Sequence, residues 1–325
     1  MDYSNALKSF DVVLSREKLE QPVRQFSILM KIIMAWRFRL ATIRQHFVPQ
    51  AFLKGFAEDP GSPFIWVYDK RSGYRPSRKS VKSVAYEHYY YSQETEAGEQ
   101  DIDSLEKAFA KTIDNDLPLI IQNLKAAPNR GVSLSDEHKG KIAYFIGLSL
   151  TRVPNFRDGI NQIYSWAAQM ALNKVAKDND AVSDLIDKYG LTAEAKAWVS
   201  LRPMIEIGNK ISESVLSKNW QFFVAADNVS FMTSDNPVVI GGSAGMGPGH
   251  PMAELMLSLR KDLALVCTPR GKKSVEVFKQ SPSETRNFNR GIVRAARHRV
   301  FSDHLSSTVD AFVKKYSHEQ QQIII

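Results

Sequence analysis

The chain has 325 residues, of which 43% are hydrophobic and 24% are charged, and this ordinary globular composition argues against intrinsic disorder. Its single cysteine, Cys267, excludes an intramolecular disulfide framework and a cysteine-rich zinc site. The net charge of +8 favours polyanionic partners such as nucleic acid, nucleotides or anionic lipid, although dispersed basic residues also form an ordinary solvated surface.

The N-terminal region contains an apolar run from Phe26 to Trp36 that is flanked by arginines. The run is shorter than the roughly 20 residues of a membrane-spanning helix, and it starts too far from Met1 for a normal signal peptide. We therefore expect no transmembrane segment and a cytoplasmic protein. Residues 1–42 are interpreted as an N-terminal extension, either an amphipathic helix that docks on a protein or membrane surface or the product of a misplaced start, with Met34 as the alternative.

Short elements follow this extension. Gln45–Phe56 is predicted to begin as a turn and to continue as a short amphipathic helix, because its apolar residues recur at helical spacing. Phe64–Tyr68 is typical of a buried strand, since it is rich in aromatic and β-branched residues. Glu87–Tyr91 is a second strand candidate.

Residues 70–82, the basic segment, contain six lysine and arginine residues. A hairpin-like loop is the simplest interpretation. Nucleic-acid binding is the alternative, because Tyr74 is available for stacking on a base. On that alternative, the candidate substrate contacts are Lys70, Arg71 and Arg78.

The middle of the chain, about residues 100–217, is predicted to be helical because apolar residues recur at helical spacing. Trp166, Met170 and Leu172 are its candidate core residues. The predicted helices cover 100–125, a stretch from a capping-box-like Ser133 to Thr151, 155–177 and a pair within 180–217.

Strand-like runs return after residue 218, and a glycine-rich loop at 241–249 connects two of them. The loop lacks the lysine-serine/threonine ending of a phosphate-binding P-loop, so a mobile loop or lid is favoured. Strands at both ends of the chain predict an α+β fold with a mixed or antiparallel sheet formed by N- and C-terminal segments and a large central helical insertion. We expect a single domain over 43–303, followed by a C-terminal helix and tail over 304–325.

Two polar patterns are candidates for a functional site. His46 precedes a proline-fixed turn, which suits either proton transfer or a hydrogen bond to a nearby backbone carbonyl. Asp235 and Asn236 follow an apolar strand just before Pro237, where strand ends often present functional groups. The alternative for the second pattern is an Asx-type turn in which both side chains bond the local backbone.

These patterns together resemble the bacterial family called domain of unknown function 4238 (DUF4238). The resemblance covers roughly residues 43–303 and implies no settled reaction. The matching positions are His46, Gln50, Asp235, Asn236 and Asn289, with Arg152 a weaker match. The segments that carry the resemblance are 45–50, 52–56, 67–69, 233–238 and 289–302.

The first functional hypothesis is a nuclease-like or other phosphodiester-acting hydrolase, such as a defence or toxin effector. His46 would act as acid or base, Asp235 would orient it or bind a metal, and Arg152 would hold an anion. Gln50, Asn236 and Asn289 would bind substrate, and a divalent metal is a possible cofactor.

The alternative is a non-catalytic protein that binds nucleic acid or another partner. The basic segment and the net charge would then provide the affinity, and the Thr233–Pro237 turn would be structural. The sequence leaves the oligomeric state open.

Overall fold

The computed structural model describes residues 10–13, 43–59, 61–94, 99–128, 131–242, 246–269 and 275–321. The apolar run at 26–36 and the centre of the glycine-rich loop lie outside these ranges. Within the described ranges, no helix combines the length and the apolar character that crossing a membrane requires. The same residues form nine α-helices and several antiparallel or mixed sheets, which confirms the predicted α+β class.

One sheet joins the two ends of the chain, as the sequence predicts. It has four strands in the order β12-β17-β3-β4, and every neighbouring pair is antiparallel. Strand β3 is continuous and mostly buried because its aliphatic and aromatic residues face the core on both sides. The strands are β3 Phe64–Asp69, β4 Ser77–Ser80, β12 Thr233–Ser234 and β17 Arg299–Ser302.

A second sheet is built entirely from the C-terminal half. Its five strands follow the order β13-β14-β15-β11-β16, and only the β11–β16 pair is parallel. Cys267 is buried in the central strand, where burial raises the pKa of its thiol to about 12, as expected for a structural thiol. The strands are β11 Asn219–Val224, β13 Val238–Gly241, β14 Glu254–Arg260, β15 Leu263–Thr268 and β16 Val275–Lys279.

Four two-stranded ladders complete the β-structure of the described residues. The ladder of β2 and β5 replaces the turn predicted at residue 45 and brings the His46 segment beside Tyr86. The ladders pair β1 Phe10–Val13 with β10 Thr192–Ala195, β2 Arg44–His46 with β5 Tyr86–His88, β6 Gln93–Glu94 with β7 Gln100–Asp101, and β8 Ala126–Ala127 with β9 Gly131–Val132.

Apart from a short helix at Gln50–Leu53, the helices occupy the predicted middle of the chain and its C-terminal part. Helices α4 and α7 pack closely because Gly147 has no side chain: a Cβ there would lie 2.2 Å from the Gly208 carbonyl oxygen. The helices are α1 Gln50–Leu53, α2 Ser104–Phe109, α3 Leu117–Asn123, α4 Asp136–Thr151, α5 Pro154–Lys177, α6 Asp180–Tyr189, α7 Leu201–Leu216, α8 Pro282–Ala295 and α9 Ser307–Lys315.

Three details of the helical prediction were wrong. The helix predicted over 100–125 is divided by a π-helical turn at Ala110–Asp114. Ser135, not Ser133, caps α4, and its hydroxyl accepts a hydrogen bond from the His138 amide. Trp166 and Met170 are exposed, because α5 buries a different face against the protein.

Substitution of Trp166 and of Trp220 tests this assignment of the core. Trp166 is 66% exposed and Trp220 is fully buried. We predict that Trp166→Ala changes the free energy of unfolding by no more than about 0.5 kcal/mol, whereas Trp220→Ala lowers it by about 3–5 kcal/mol. Urea denaturation followed by circular dichroism measures both values, and equal losses would contradict the placement of α5.

Candidate functional site

A buried carboxylate holds the turn between α8 and β17. Asp235 follows β12, and its side chain accepts three backbone hydrogen bonds: Oδ1 from the Arg297 amide at 2.8 Å, and Oδ2 from the amides of His298 at 2.8 Å and Arg299 at 2.9 Å. Burial raises the pKa of this carboxyl, and the three amide donors oppose that shift. Asp235 therefore fixes the path of Arg297, His298 and Arg299, which we call the basic turn.

Lys70 and Asn236 hold the end of helix α8 beside the same turn. The Lys70 ammonium donates to the carbonyl oxygens of Val293 at 2.8 Å and Ala296 at 2.9 Å, and it also contacts the Glu319 carbonyl. The Asn236 side-chain amide donates to the Ala295 carbonyl at 3.1 Å. A cation at this position also complements the negative end of the helix dipole.

The position of Lys70 corrects its assignment to an exposed basic surface. Its side chain is buried, so it cannot reach a substrate on the protein surface in this conformation. Burial lowers the pKa of Lys70 to about 8, and the negative charge of Asp235 partly offsets the shift. Together, Lys70, Asp235 and Asn236 form what we call the helix-end clamp.

Asn289, predicted as a substrate contact, supports the clamp from within α8. Its Oδ1 accepts a hydrogen bond from the Met232 amide, and its Nδ2 donates to the Ser230 carbonyl, each at 2.9 Å. Because these bonds fix the chain that leads into β12, they align Asp235 with the basic turn. The Asn289 side chain therefore has a structural role in holding the backbone at residues 230 and 232. Substrate binding by this residue stays a prediction.

The basic turn forms one side of a pocket of about 260 Å³, which we call the arginine pocket. Arg71 and Glu87 supply further charged groups, and Asp235 lies at the pocket's inner side. Uncharged residues make up the rest of the lining. The complete lining is Phe47, Arg71, Ala85, Tyr86, Glu87, Pro154, Asp235, Arg297, His298 and Arg299.

Carboxylates outside the pocket orient its guanidinium groups. Asp69 accepts from Arg71 at 2.6 Å and lies 3.7 Å from Arg299. Asp158 pairs with Arg297 at 2.8 Å. Each guanidinium has five N–H donors, so an ion pair on one edge leaves other donors for an anion.

His298 and Glu87, which both line the pocket, have pKa values shifted toward each other. Burial lowers the pKa of the His298 imidazole below its ordinary 6.5. Burial also raises the pKa of the Glu87 carboxyl above its ordinary 4.5. Both shifts favour the neutral forms, one of which accepts a proton while the other donates one.

Arg152 and His46 meet in a separate, buried cluster. The Arg152 guanidinium, 1% exposed, donates to the Tyr91 hydroxyl at 2.9 Å, to the His46 carbonyl oxygen at 3.0 Å and to Asp114 Oδ1 at 3.2 Å. The sequence analysis expected the Arg152 guanidinium to hold an anion, but its N–H donors bond to other groups of the protein instead. Arg152 therefore links β2 to the end of α4.

The His46 imidazole is also buried, and Gln50 Nε2 lies 3.3 Å from its Nδ1. Burial lowers the pKa of His46 to about 4, so the ring is neutral near pH 7. The pocket is lined by Phe47 and Pro154, the chain neighbours of this cluster, and not by the side chains of His46 and Arg152. The sequence predicted that His46, Arg152 and Asp235 share one site. Of these three side chains, only that of Asp235 lines the arginine pocket, and the shared site stays a prediction.

Two further predicted substrate contacts, Arg71 and Arg78, lie at different places in the structure. Arg71 lines the arginine pocket, whereas Arg78 pairs with Glu58 at 2.7 Å and packs over Phe64. Among the described residues, no cluster of three or more histidine, cysteine or acidic side chains is arranged to hold a metal ion. A divalent metal therefore stays a prediction.

Sequence reasoning did not select the basic turn or Glu87 as ligand contacts. A usable signal was present, because Arg297, His298 and Arg299 are three consecutive basic or titratable residues within the segment 289–302 that carries the family resemblance. Glu87 gave no such signal. Its place in the pocket depends on the pairing of β2 with β5, which brings distant segments together.

Comparison with known proteins identifies one family. The model of the family described as "Protein of unknown function (DUF4238)" matches residues 44–305. No curated protein and no solved structure matches the chain significantly. Three of the segments that carry the family resemblance, 45–50, 233–238 and 289–302, each contribute residues to the arginine pocket.

Asp235→Asn tests the clamp, because the amide NH₂ would face backbone N–H groups that need an acceptor. We predict that this variant loses about 1–3 kcal/mol of unfolding free energy, the cost of an unsatisfied buried group. Asp227→Asn, at an exposed aspartate, is the matched control and should have little effect. Urea denaturation at pH 7 measures both variants, and an unchanged Asp235→Asn protein would contradict the structural role of the carboxylate.

Proposed function

The chain belongs to the DUF4238 family of proteins of unknown function, and we propose that its arginine pocket binds the phosphate groups of a nucleotide or a nucleic acid. The observation that supports this proposal best is the convergence of Arg71, Arg297 and Arg299 on one pocket. Planar guanidinium groups match the geometry of phosphate oxygens and bind them through paired hydrogen bonds.

The helix-end clamp supports the proposal because it positions the basic turn before any ligand arrives. Burying the Lys70 ammonium and the Asp235 carboxylate costs desolvation energy, which direct hydrogen bonds to the backbone offset. A turn that is already ordered loses less conformational entropy when it binds a ligand. The arrangement is thus suited to a pocket with fixed donors.

The overall charge of +8 adds a long-range contribution. A positive field attracts polyanions and raises their association rate, and salt weakens this attraction. Local carboxylates moderate the charge of the pocket, since Arg71 and Arg297 are both ion-paired. Phosphate recognition at the pocket would therefore rely on hydrogen-bond geometry as well as on charge.

Arg299→Ala tests phosphate binding. We predict that it weakens the affinity for a labelled 12-nucleotide DNA strand and reduces the salt dependence of log K by about one unit of slope, because one phosphate contact is lost. Fluorescence anisotropy at several salt concentrations measures both quantities. Arg202→Ala is the charge-matched control, since Arg202 is 86% exposed on α7. Equal behaviour of the two variants would contradict the proposal.

Hydrolysis of a phosphodiester in the same pocket is the second candidate function, because Glu87 and His298 share it with the arginines. A neutral imidazole would accept a proton from water, and a protonated carboxyl would donate one to the leaving oxygen. A nuclease-like defence or toxin effector would require this activity. His46 and Arg152 are not part of this mechanism, because the pocket is lined by other side chains.

The pH dependence of hydrolysis tests this second function. Activity should fall at low pH as His298 becomes protonated and at high pH as Glu87 ionises, which gives an optimum on the acidic side of neutrality. Glu87→Gln and His298→Gln should each lower kcat by about 100-fold or more. Cleavage of a labelled strand is measured with and without Mg²⁺, and Glu213→Gln is the control. Full activity in both pocket variants would exclude this mechanism.

A further inference from the structure

We infer that the ligand of the arginine pocket is a single-stranded segment of nucleic acid, whose unpaired base packs on the apolar side of the pocket. This inference rests on the proposed phosphate binding and specifies its substrate class. Two independent features of the described residues support it: the apolar residues in the pocket lining and an exposed aromatic side chain that contacts a lining arginine.

Part of the pocket lining is apolar. Phe47, Ala85 and Pro154 are all buried residues that line it, and Tyr86 lines it beside them. A free phosphate gains nothing from an apolar surface, whereas a nucleobase is favoured there by burial and by contact with aromatic rings. A pocket lined by both arginines and apolar side chains therefore matches a nucleotide unit better than an inorganic anion.

Tyr74 provides an exposed aromatic ring in contact with Arg71, which lines the pocket. Its side chain is 51% exposed, and the Arg71 guanidinium carbon lies 4.6 Å from its ring centroid. Since Arg71 itself lines the pocket, the ring lies next to a phosphate held there. Exposed aromatic rings beside cationic groups are the usual platform on which successive bases of a single strand stack.

A second arginine–tyrosine pair also includes a residue that lines the pocket. The Arg44 guanidinium carbon lies 5.2 Å from the Tyr86 ring centroid, and Tyr86 lines the pocket. Each of two arginine–tyrosine pairs thus contributes one residue to the pocket lining. A strand that runs between Tyr74 and Tyr86 would place its backbone on the arginines and its bases against the aromatic rings.

Duplex nucleic acid fits this arrangement poorly. Its bases are stacked and paired, so one of them reaches an aromatic wall only after it is extruded, at a cost of a few kcal/mol. The pocket volume of about 260 Å³ is also small compared with typical drug-sized sites of roughly 300–1,000 Å³. A single nucleotide unit is therefore the element that enters it.

The affinity of the full chain for matched probes tests the inference. The probes are a fluorescein-labelled 12-nucleotide thymidine strand, its uridine equivalent, and the thymidine strand annealed to its complement. Fluorescence anisotropy should show at least tenfold tighter binding of the single strands than of the duplex. Unlabelled thymidine monophosphate should also displace the single strand at lower concentration than inorganic phosphate.

Variants of the two tyrosines identify the surfaces involved. Tyr74→Ala and Tyr86→Leu should each weaken single-strand binding roughly tenfold, the loss expected from one base–aromatic stack. Tyr74→Phe retains the ring and should bind like the unaltered protein. Tyr164→Ala, at a partly exposed tyrosine of α5, is the matched control. Thermal unfolding of each variant confirms that it is folded.

The outcomes separate this inference from the proposed function. If single strand and duplex bind equally and the tyrosine variants bind normally, while Arg299→Ala still weakens binding, phosphate recognition stands and base stacking is wrong. If Arg299→Ala also has no effect, the proposed function fails and the inference with it. Preference for the duplex would likewise overturn the single-strand assignment.

Discussion

The bonds from three backbone amides to the buried Asp235 carboxylate are the constraint on which the site depends. Residues 297–299 leave the end of α8 and enter β17 within a few positions, so their amides have no helical or sheet partner on that side. The carboxylate satisfies all three donors at once, and Lys70 satisfies the carbonyls at the end of the helix. The basic turn can therefore be both ordered and close to the surface.

The same bonds relate the fold to the proposed chemistry. Strand β3 carries Lys70 and Arg71 just past its end, and β12 carries Asp235 just past its own. Both strands flank β17 in one sheet. Lys70, which belongs to the helix-end clamp, is followed directly in the chain by Arg71, which lines the arginine pocket. The polar block that looks functional in the sequence thus has a structural contact, and the basic side chains it positions are the groups that face a ligand.

The sequence predicted the fold class and most elements, because burial periodicity and turn residues are local signals. It did not show which polar residues would be buried. Lys70 is adjacent to Arg71 and has the same charge, yet one side chain turns inward and the other outward. Likewise, an apolar helical stripe could not reveal that Trp166 is exposed, since that depends on which face of α5 meets the rest of the protein. Asp235 was recognised as important, but its partners lie more than 60 residues away in the chain.

Native-state hydrogen exchange of the amides of residues 297–299 tests most directly whether the basic turn is formed before a ligand binds. A turn held by Asp235 requires slow exchange of all three amides in the free protein, little further protection when a 12-nucleotide strand binds, and fast exchange in the folded Asp235→Asn protein. Fast exchange in the free, unaltered protein that becomes slow only with the strand would contradict a preformed pocket, and it would assign the order of the turn to the ligand instead.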